Sequence, residues 1–570
     1  NLSEALVAQG KRGASASLRR EDLASCITQL SQSHPEAYAV IGHFEKLWTA
    51  HGWTTATAVF YRITLGLWRK LPRLVLLDCA PTLESMVQQL RAGRALEDAD
   101  WLGRRTLEVK IGLFGSADPE VAASLRELAG ISAARYAFVE AESLYHSALR
   151  IQREALGPTD DEVAGTLIDL GVFLRERGRY REAEDLYREA IEIRRCALGD
   201  MHPELARAMG SFAVLSSTMG KYDEAEALLL DTLEMRRALF GNDHPDVATS
   251  LNSLGMFYLD RGDPDSAEPL FNEMLEINRR FIGGENQVVA LALNNLAGVY
   301  CARGNYERAE ELHRGALAMR KRLLGDVHED VAESLSNLAM LKQDQGQYAG
   351  AEPLARQALA IQRALLGGEH PDVAVSLNNL ASILMSQGNY ANAESLLREA
   401  LQIRKKVLGP DHPGVALVLN NLACSLVQVG KREEAARCQF EALDIERRCF
   451  GDRHIGIATS LNNIADALYD EGDYEGALSL SRQVLEIRTS ALGEEHPTTA
   501  ASLANLAYLE HMAGNHAAAE SLYLRALDLL RGSIGDTHPS TTLCLTNFAS
   551  MLHDQGRYAE AESLFVQAVS

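Results

Sequence analysis

Apolar residues recur along this chain at helical spacing, in short amphipathic segments that glycines separate. Between His202 and Gly220 the apolar positions fit one face of a helix of 3.6 residues per turn: Leu205, Ala208, Phe212, Ala213 and Leu215. A second segment follows Gly220, with acidic residues in its first turn and Arg236-Arg237 in its last, and it ends at Gly241. This pattern predicts two helices, A and B, folded into a hairpin.

The hairpin recurs every 42 residues without an insertion or deletion. One glycine series closes the units: Gly115, Gly157, Gly199, Gly241, Gly283, Gly325, Gly367, Gly409, Gly451, Gly493 and Gly535. A second series divides helix A from helix B, from Gly178 through Gly220 and Gly262 to Gly556. A fixed period of this length indicates a solenoid, whose function is carried by its surface.

A small residue keeps the same phase early in helix B, as in Ala225, Ala309 and Ala351. A side chain without bulk at this position lets helix B approach helix A closely. The histidine of the repeated His-Pro pair, as in His202-Pro203, is predicted to cap helix A, with the proline at the first helical position.

The charge composition limits the kinds of macromolecule that this chain is expected to bind. The 78 acidic and 56 basic side chains give a formal charge of −22, which repels nucleic acid and anionic lipid surfaces. No apolar run approaches the length of a membrane span, and the eight cysteines show no CxxC pair. These features predict a cytoplasmic protein with reduced thiols that binds neither nucleic acid nor membrane.

Sequence motifs for catalysis are absent: the chain has no GxxxxGK[ST], GxGxxG after a strand, HExxH or GxSxG. The eight histidines that recur in the phase of the repeat, six of them followed by proline, suggest a metal array, but successive units lie ~20 Å apart, too far for one ion to bridge. We therefore predict no enzymatic activity, no catalytic residue, no cofactor and no metal site.

The repeat resembles a known family. The G-x-Y-x-x-A pattern of tetratricopeptide repeats occurs at 178–183 and 346–351, and Leu377-Asn378-Asn379-Leu380-Ala381 with Leu408-Gly409-Pro410-Asp411-His412-Pro413 resembles the 42-residue repeats of the kinesin light chain family. The resemblance covers residues 115–570 and implies an all-α, right-handed α-solenoid of tetratricopeptide-type hairpins. The heptad coiled coil that pairs a light chain with its motor is not in this chain.

Asparagines in helix A are the main candidates for binding. Adjacent pairs occur at 294–295, 378–379, 420–421 and 462–463, and Asn252 holds the first position of a pair. On a helical wheel with Leu293 and Leu296 buried, the first asparagine points to the concave side and the second to the neighbouring unit, at ~100° per residue. The open alternative is that the asparagines link adjacent repeats as buried polar groups.

The predicted peptide-binding residues lie on this face: Asn252, Asn294, Asn378, Asn420, Asn462, Asp466 and Tyr469. A row of amides can pair with the backbone of an extended peptide, and the resemblance implies that kinesin light chain repeats hold cargo peptides in this groove. Asp466 and Asp470 make the C-terminal half of the face acidic, which favours a basic or neutral peptide.

The chain divides into two predicted regions. Residues 115–570 form about eleven regular units, the last incomplete, and residues 1–114 form degenerate tetratricopeptide-like helical repeats, with a separate helical cap as the alternative. Both ends fall inside a unit, so we expect the chain to be part of a longer protein. At the unit after Gly283 the His-Pro turn is replaced, which either a bend or sequence drift would explain.

The predicted function is that of a non-catalytic scaffold that holds an extended segment of a protein or peptide partner in the concave groove. The alternative is the sensor or regulatory array of a larger signalling NTPase or protease. Uncapped terminal units leave apolar faces exposed, so self-association through the terminal repeats is a further prediction.

Overall fold

The computed structural model describes Glu84, Val87, Gln88, Leu90, Arg91 and residues 95–569 except residue 537. These described residues contain 23 α-helices and no β-strand. The all-α hairpin solenoid expected from the sequence is therefore confirmed. The predicted degenerate repeats of residues 1–114 lie mostly outside the described residues, and their boundary with the regular array remains a prediction.

A single helix, α1 (Leu96–Phe114), precedes eleven helical hairpins. The hairpins are α2 (Pro119–Ala134) with α3 (Phe138–Ala155), α4 (Asp161–Glu176) with α5 (Tyr180–Leu198), α6 (Pro203–Thr218) with α7 (Tyr222–Phe240), α8 (Pro245–Asp260) with α9 (Pro264–Ile282), α10 (Gln287–Ala302) with α11 (Tyr306–Leu324), α12 (Glu329–Asp344) with α13 (Tyr348–Leu366), α14 (Pro371–Ser386) with α15 (Tyr390–Leu408), α16 (Pro413–Gln428) with α17 (Arg432–Phe450), α18 (Ile455–Glu471) with α19 (Tyr474–Leu492), α20 (Pro497–Met512) with α21 (His516–Ile534), and α22 (Pro539–Asp554) with α23 (Tyr558–Val569). Even-numbered helices are helices A and odd-numbered helices after α1 are helices B.

Glycine sets the turn between the two helices in ten of the eleven hairpins, and Tyr136, with φ of +61°, takes this position between α2 and α3. At Gly220, between α6 and α7, φ is +75°, and at Gly241, which ends α7, φ is +79°. Residues with a Cβ rarely adopt this left-handed conformation, so glycine allows the chain to reverse without strain.

The alanine series packs as predicted. Every member is at most 2 % exposed: Ala183, Ala225, Ala267, Ala309, Ala351, Ala393, Ala435, Ala477, Ala519 and Ala561. Larger apolar side chains on both sides complete the core, as Phe257 and Phe271 do in the hairpin of α8 and α9. Within residues 213–319 the core is thus continuous from one hairpin to the next, which is how a solenoid stabilises units that could not fold alone.

The described chain consists of two compact units. The first comprises the described residues up to Glu176 together with Arg181–Ser211, and the second comprises Arg177–Tyr180 with Phe212–Ser570. In the second unit, successive helices A contact one another, as α8 and α10 or α12 and α14 do, whereas helices B mainly contact the helices A beside them. Helices A therefore lie on the concave side of this unit.

Candidate functional site

The concave face of the second unit is formed by one stripe of each helix A. In α14 the stripe consists of Val375, Asn379, Ser382 and Ser386, spaced four, three and four residues apart, all at least partly exposed. The equivalent residues of α16 begin at Leu417, and Val375 and Leu417 are 41 % and 51 % exposed. We call these positions the groove stripe. Because they follow the helical period, one side chain in each turn faces the concave surface.

The first asparagine of each pair does not lie on the groove stripe. Asn294, Asn378 and Asn420 are only 5 %, 8 % and 4 % exposed. In α10 the residues four before and three after Asn294 are Ala290 and Ala297, both fully buried against neighbouring helices. The helical-wheel prediction was therefore wrong in its orientation, because the stripe chosen as buried was rotated by one residue. The first asparagine faces the neighbouring hairpin, and the second lies on the groove stripe.

Asn420 joins two consecutive hairpins. Its Nδ2 donates to Ser460 Oγ at 2.8 Å and lies 3.3 Å from Glu446 Oε1. Ser460 Oγ in turn donates to Glu446 Oε2 at 2.7 Å. Burial raises the pKa of Glu446 to about 7, and the hydrogen bonds from Ser460 and Asn420 oppose that rise. This is the polar link between repeats that the alternative interpretation of the asparagines predicted.

Asn294 belongs to a similar buried cluster. His313 Nδ1 lies 2.9 Å from Asn294 Oδ1, and Asn294 Nδ2 lies 3.4 Å from Ser334 Oγ on the next helix A. Arg320 donates to the same Ser334 Oγ at 2.9 Å and to the carbonyl oxygen of Asp330 at 2.8 Å. Burial, and secondarily the charge of Arg320, lowers the pKa of His313 to about 4. The cluster connects α10, α11 and α12.

The second asparagines lie at the edge between groove and core. Asn421 Nδ2 donates to Asn378 Oδ1 at 2.9 Å, and Asn295 Nδ2 donates to Asn252 Oδ1 at 2.6 Å. These side chains are half-buried, and Asn505 at the same position of α20 is exposed. An amide has two donor hydrogens and an acceptor oxygen, so one bond to the preceding hairpin leaves capacity for a ligand.

The remaining predicted site residues differ in their surroundings. Asn252 is half-buried, and Asn462 is half-buried with its Nδ2 3.1 Å from Oδ2 of the exposed Asp466. Partial dehydration of the concave surface, together with the charge of Asp470, raises the pKa of Asp466 to about 6. Tyr469 OH lies 2.9 Å from Tyr508 OH on the next helix A, a bond that raises the pKa of Tyr469 to about 12.

The predicted site is therefore not one cluster. The structure brings Asn462 and Asp466 together on α18 and places Tyr469 on the same helix. The asparagines Asn252, Asn294, Asn378 and Asn420 are distributed over four helices A, one on each. Such a distribution suits a ligand that runs along the array and does not suit a compact small molecule.

Exposed apolar residues on the groove stripe were missed by the sequence reasoning. Met340, Val375 and Leu417 are 48 %, 41 % and 51 % exposed on consecutive helices α12, α14 and α16. In α14 and α16 the apolar residue stands four positions before the second asparagine, one helical turn away. That spacing is the signal in the sequence that could have identified them.

The eight phased histidines cap eight of the eleven helices A, as predicted. Nδ1 of each accepts a hydrogen bond from the backbone N–H two residues later, for example His244 from Asp246 at 3.1 Å and His412 from Gly414 at 2.9 Å. The same bond is made by His202, His328, His370, His454, His496 and His538. Where the His-Pro turn is replaced, Asn286 caps α10 through a bond from the N–H of Val289 at 2.9 Å.

Two further features of the described residues concern metal ions and membranes. No group of three or more His, Cys, Asp or Glu side chains in the described part of the chain is arranged to hold a metal ion. None of the helices of the described residues combines the length and apolar character needed to cross a membrane.

Comparison with known proteins identifies the repeat. The tetratricopeptide repeat model matches residues 120–195, 197–280, 288–364, 330–384, 372–448, 434–490, 456–532 and 499–570. No curated protein matches the chain. Among solved structures, the chain is similar to the kinesin light chain nearly identical TPR-like repeats from Podosopora anserina, at 27 % identity over 36 % of this chain and 97 % of that one, with a TM-score of 0.31.

A second solved structure is BtubC (BKLC) from P. vanneervenii, at 26 % identity over 42 % of this chain and 92 % of that one, with a TM-score of 0.32. The matches to the repeat model extend over most of the described residues. The chain therefore belongs to the tetratricopeptide repeat family.

Proposed function

We propose that this protein is a non-catalytic scaffold in the cytoplasm that holds an extended segment of a partner protein along the groove stripe of its second unit. Tetratricopeptide repeat proteins bind protein partners, and the helices A here present one binding position per hairpin. The proposal goes further in assigning the concave face, and not the outer face formed by helices B, to that partner.

One observation carries the proposal. The groove stripe exposes Met340, Val375 and Leu417 on three consecutive helices A, beside the half-buried amides of Asn379 and Asn421. A partner that covers exposed apolar side chains removes them from water. This burial stabilises the complex by roughly 25 cal/mol per Å² of apolar surface. Amides beside them can satisfy the backbone groups of an extended chain as it is dehydrated.

The charge of the groove supports a basic or neutral partner segment. Asp466 and Asp470 stand near the C-terminal end of the array, and Asp466 is exposed. Each carboxylate favours a nearby cation and disfavours an acidic ligand. A segment with apolar residues over α12 to α16 and a Lys or Arg over α18 would match both features.

Partner capture tests this proposal. The groove variant combines Met340→Gln, Val375→Thr and Leu417→Gln, and the matched control combines Leu230→Gln, Phe440→Gln and Leu524→Gln on helices B. The control residues are similarly exposed, at 44 %, 62 % and 51 %. We expect proteins captured from cytosol by the parent chain to be retained by the control and lost by the groove variant, as measured by quantitative mass spectrometry. Loss with the control alone would overturn the proposal and move the site to the helices B.

We also propose self-association through the last hairpin. There Tyr558, Val566 and Val569 are 64 %, 62 % and 89 % exposed. Contiguous apolar surface of this kind commonly marks an interface. Light scattering over a concentration series is the test: a rising mass that Val566→Lys abolishes supports self-association, and a constant monomer mass rejects it.

A further inference from the structure

In the second unit, turns that follow a helix A contact turns that precede a helix A much later in the chain. We call the two sides of the solenoid that carry these turns its edges. His454, which caps α18, has its Nε2 2.9 Å from the carbonyl oxygen of Thr218 at the end of α6. Its Nδ1 accepts the hydrogen bond from the N–H of Gly456, so Nε2 carries the hydrogen that it donates to Thr218. A helix-capping histidine therefore also binds the turn between helices A and B of the hairpin six places earlier.

The same contact recurs at intervals of one hairpin. Gly262 and Gly178 divide their own hairpins, and a Cβ built on Gly262 would lie 2.5 Å from Nε2 of His496, while one on Gly178 would lie 2.7 Å from Cδ of Pro413. Gly220 is similarly close to His454, at 3.2 Å, and Gly304 is farther from His538, at 3.9 Å. These four contacts recur with the period of the repeat, as expected if they result from the coiling of the solenoid.

Two arginines make further hydrogen bonds between the same edges. Arg177 donates to the carbonyl oxygen of Leu408 at 2.6 Å, and Arg261 approaches the carbonyl oxygen of Ala491 at 3.4 Å. Each carbonyl belongs to the last turn of a helix B, where acceptors have no partner within the helix. The pairs are 231 and 230 residues apart, about five and a half repeat periods.

Aromatic contacts add apolar surface. Tyr180 stacks on Phe450 with ring centroids 5.2 Å apart, and Phe450 stacks on His454 at 4.1 Å. Phe450 thus bridges the two edges.

The length of the helices sets the width of the solenoid ribbon. Helices A of 16 residues and helices B of 19 residues are ~24 to 29 Å long. A solenoid ribbon of that width whose opposite edges touch after six hairpins has no open slit between its turns there. The groove stripe on the inner side is consequently enclosed along the length where the edges meet.

We propose that these contacts form a turn latch, consisting of Gly178, Gly220 and Gly262 with Pro413, His454 and His496, that closes the coil around the groove stripe. The closed coil admits an extended segment, and a folded partner enters only when the latch opens. The part concerning the partner rests on the proposed function, whereas the latch itself does not.

Glycines outside the latch provide a matched control. Gly346, Gly388 and Gly430 have φ of +70°, +76° and +81°, close to the +75°, +75° and +70° of Gly178, Gly220 and Gly262. A Cβ built on any of these three controls meets no atom within 4 Å. Asparagine tolerates this left-handed conformation better than other residues with a side chain. Replacing either set by asparagine therefore adds the same backbone strain. Only in the latch does the new side chain also clash with the residues across the contact.

The experiment compares the full chain, the latch variant (Gly178→Asn, Gly220→Asn, Gly262→Asn) and the control variant (Gly346→Asn, Gly388→Asn, Gly430→Asn). Small-angle X-ray scattering should show a larger radius of gyration and maximum dimension for the latch variant only. Cys424, which is half-buried on the groove stripe of α16, reports access to the groove. A bulky maleimide should label Cys424 roughly tenfold faster in the latch variant, as expected when an open state of a few per cent becomes the major one.

A second pair of variants keeps the test decisive if the first fails to fold. His454→Asn with His496→Asn retains a capping side chain, as Asn286 does in α10, but removes the ring from the latch. His244→Asn with His328→Asn is the control. A folded latch variant of either kind with the parent's dimensions and the parent's rate at Cys424 would overturn the latch. Because scattering needs no partner, that result would leave the proposed partner-binding function standing.

Discussion

Two adjacent asparagines of helix α16 lie in different environments. Asn420 is 4 % exposed and bonded to Ser460 in the next hairpin, whereas Asn421 lies on the groove stripe and bonds back to Asn378 in the preceding one. The residues one turn away explain the difference: Ala416 and Ala423 flank Asn420 in the core, while Leu417 and Cys424 flank Asn421 on the concave surface.

This comparison shows that one helix contributes both to the cohesion of the array and to the concave surface where we propose that a partner binds. The packed row, meaning the first asparagines and the buried residues around them, has little freedom to change without loss of stability. The groove stripe can vary with the ligand, since its side chains make few contacts within the protein. The same residue type is buried between hairpins in one position and lies on the concave surface in the next.

The strongest expected effect is on the packed side of the hairpin. Ala351→Phe places an aromatic ring where the native residue is fully buried between helices, and we expect a loss of about 3 kcal/mol through overpacking. Leu417→Phe on the groove stripe is the control, with a change below about 0.5 kcal/mol. Urea unfolding measures both, and an unchanged midpoint for Ala351→Phe would contradict the close approach of α12 and α13.

Acidification should weaken the packed row through His313. Its pKa in the folded protein is about 4, against about 6.5 in an unfolded chain, so only the unfolded chain takes up a proton between those values. Stability from this group is complete above pH 6.5 and falls as the pH drops to 4, by about 2 kcal/mol at pH 5.

The pH test compares the parent chain with His313→Gln. Carboxyl groups with raised pKa, such as Glu446, change stability in the opposite direction and affect both proteins equally. The difference between the two unfolding free energies therefore isolates His313. A difference that does not change between pH 7.5 and 5 would show that His313 is not held neutral by its surroundings.

The asparagine pair gives a direct comparison of the two rows. Asn420→Ala leaves Ser460 and the buried Glu446 without their amide partner, and we expect a loss of about 1.5 kcal/mol. Asn421→Ala, at the groove, should cost about 0.5 kcal/mol. Chemical unfolding of the two variants side by side provides the measurement, and equal losses would remove the distinction between the rows.

The smallest effect is expected from a core hydroxyl. Tyr523 is fully buried and stacked on Phe548 at 5.3 Å, and no hydrogen-bond partner for its hydroxyl is found among the described residues. Tyr523→Phe removes a dehydrated polar group and keeps the ring. We expect stability unchanged within about 0.5 kcal/mol or slightly increased, and a clear loss would indicate a partner that the hydroxyl contacts in solution.

The hairpins and their turns follow from local information in the sequence. Gly220 and Gly241 mark the two turns because a positive φ is a local requirement, and His202 caps α6 because the capping bond spans two residues. The buried alanine series likewise depends on the packing of two adjacent helices. The caps of three helices A were not foreseen: Asp118 and Asp160 take the place of histidine at α2 and α4, and Asn286 caps α10 through a bond to the third residue instead of the second.

The orientation of the helices and the meeting of the turns depended on the tertiary structure. A helical wheel gives the angle between Asn420 and Asn421 but not which of them faces the next hairpin, because the neighbouring helices set the buried side. The contact between His454 and Thr218 joins residues 236 apart, and it depends on the small rotation from each hairpin to the next, summed over six hairpins. The sequence by itself thus determined the unit and its repetition, whereas the groove and the latch arise from how the units stack.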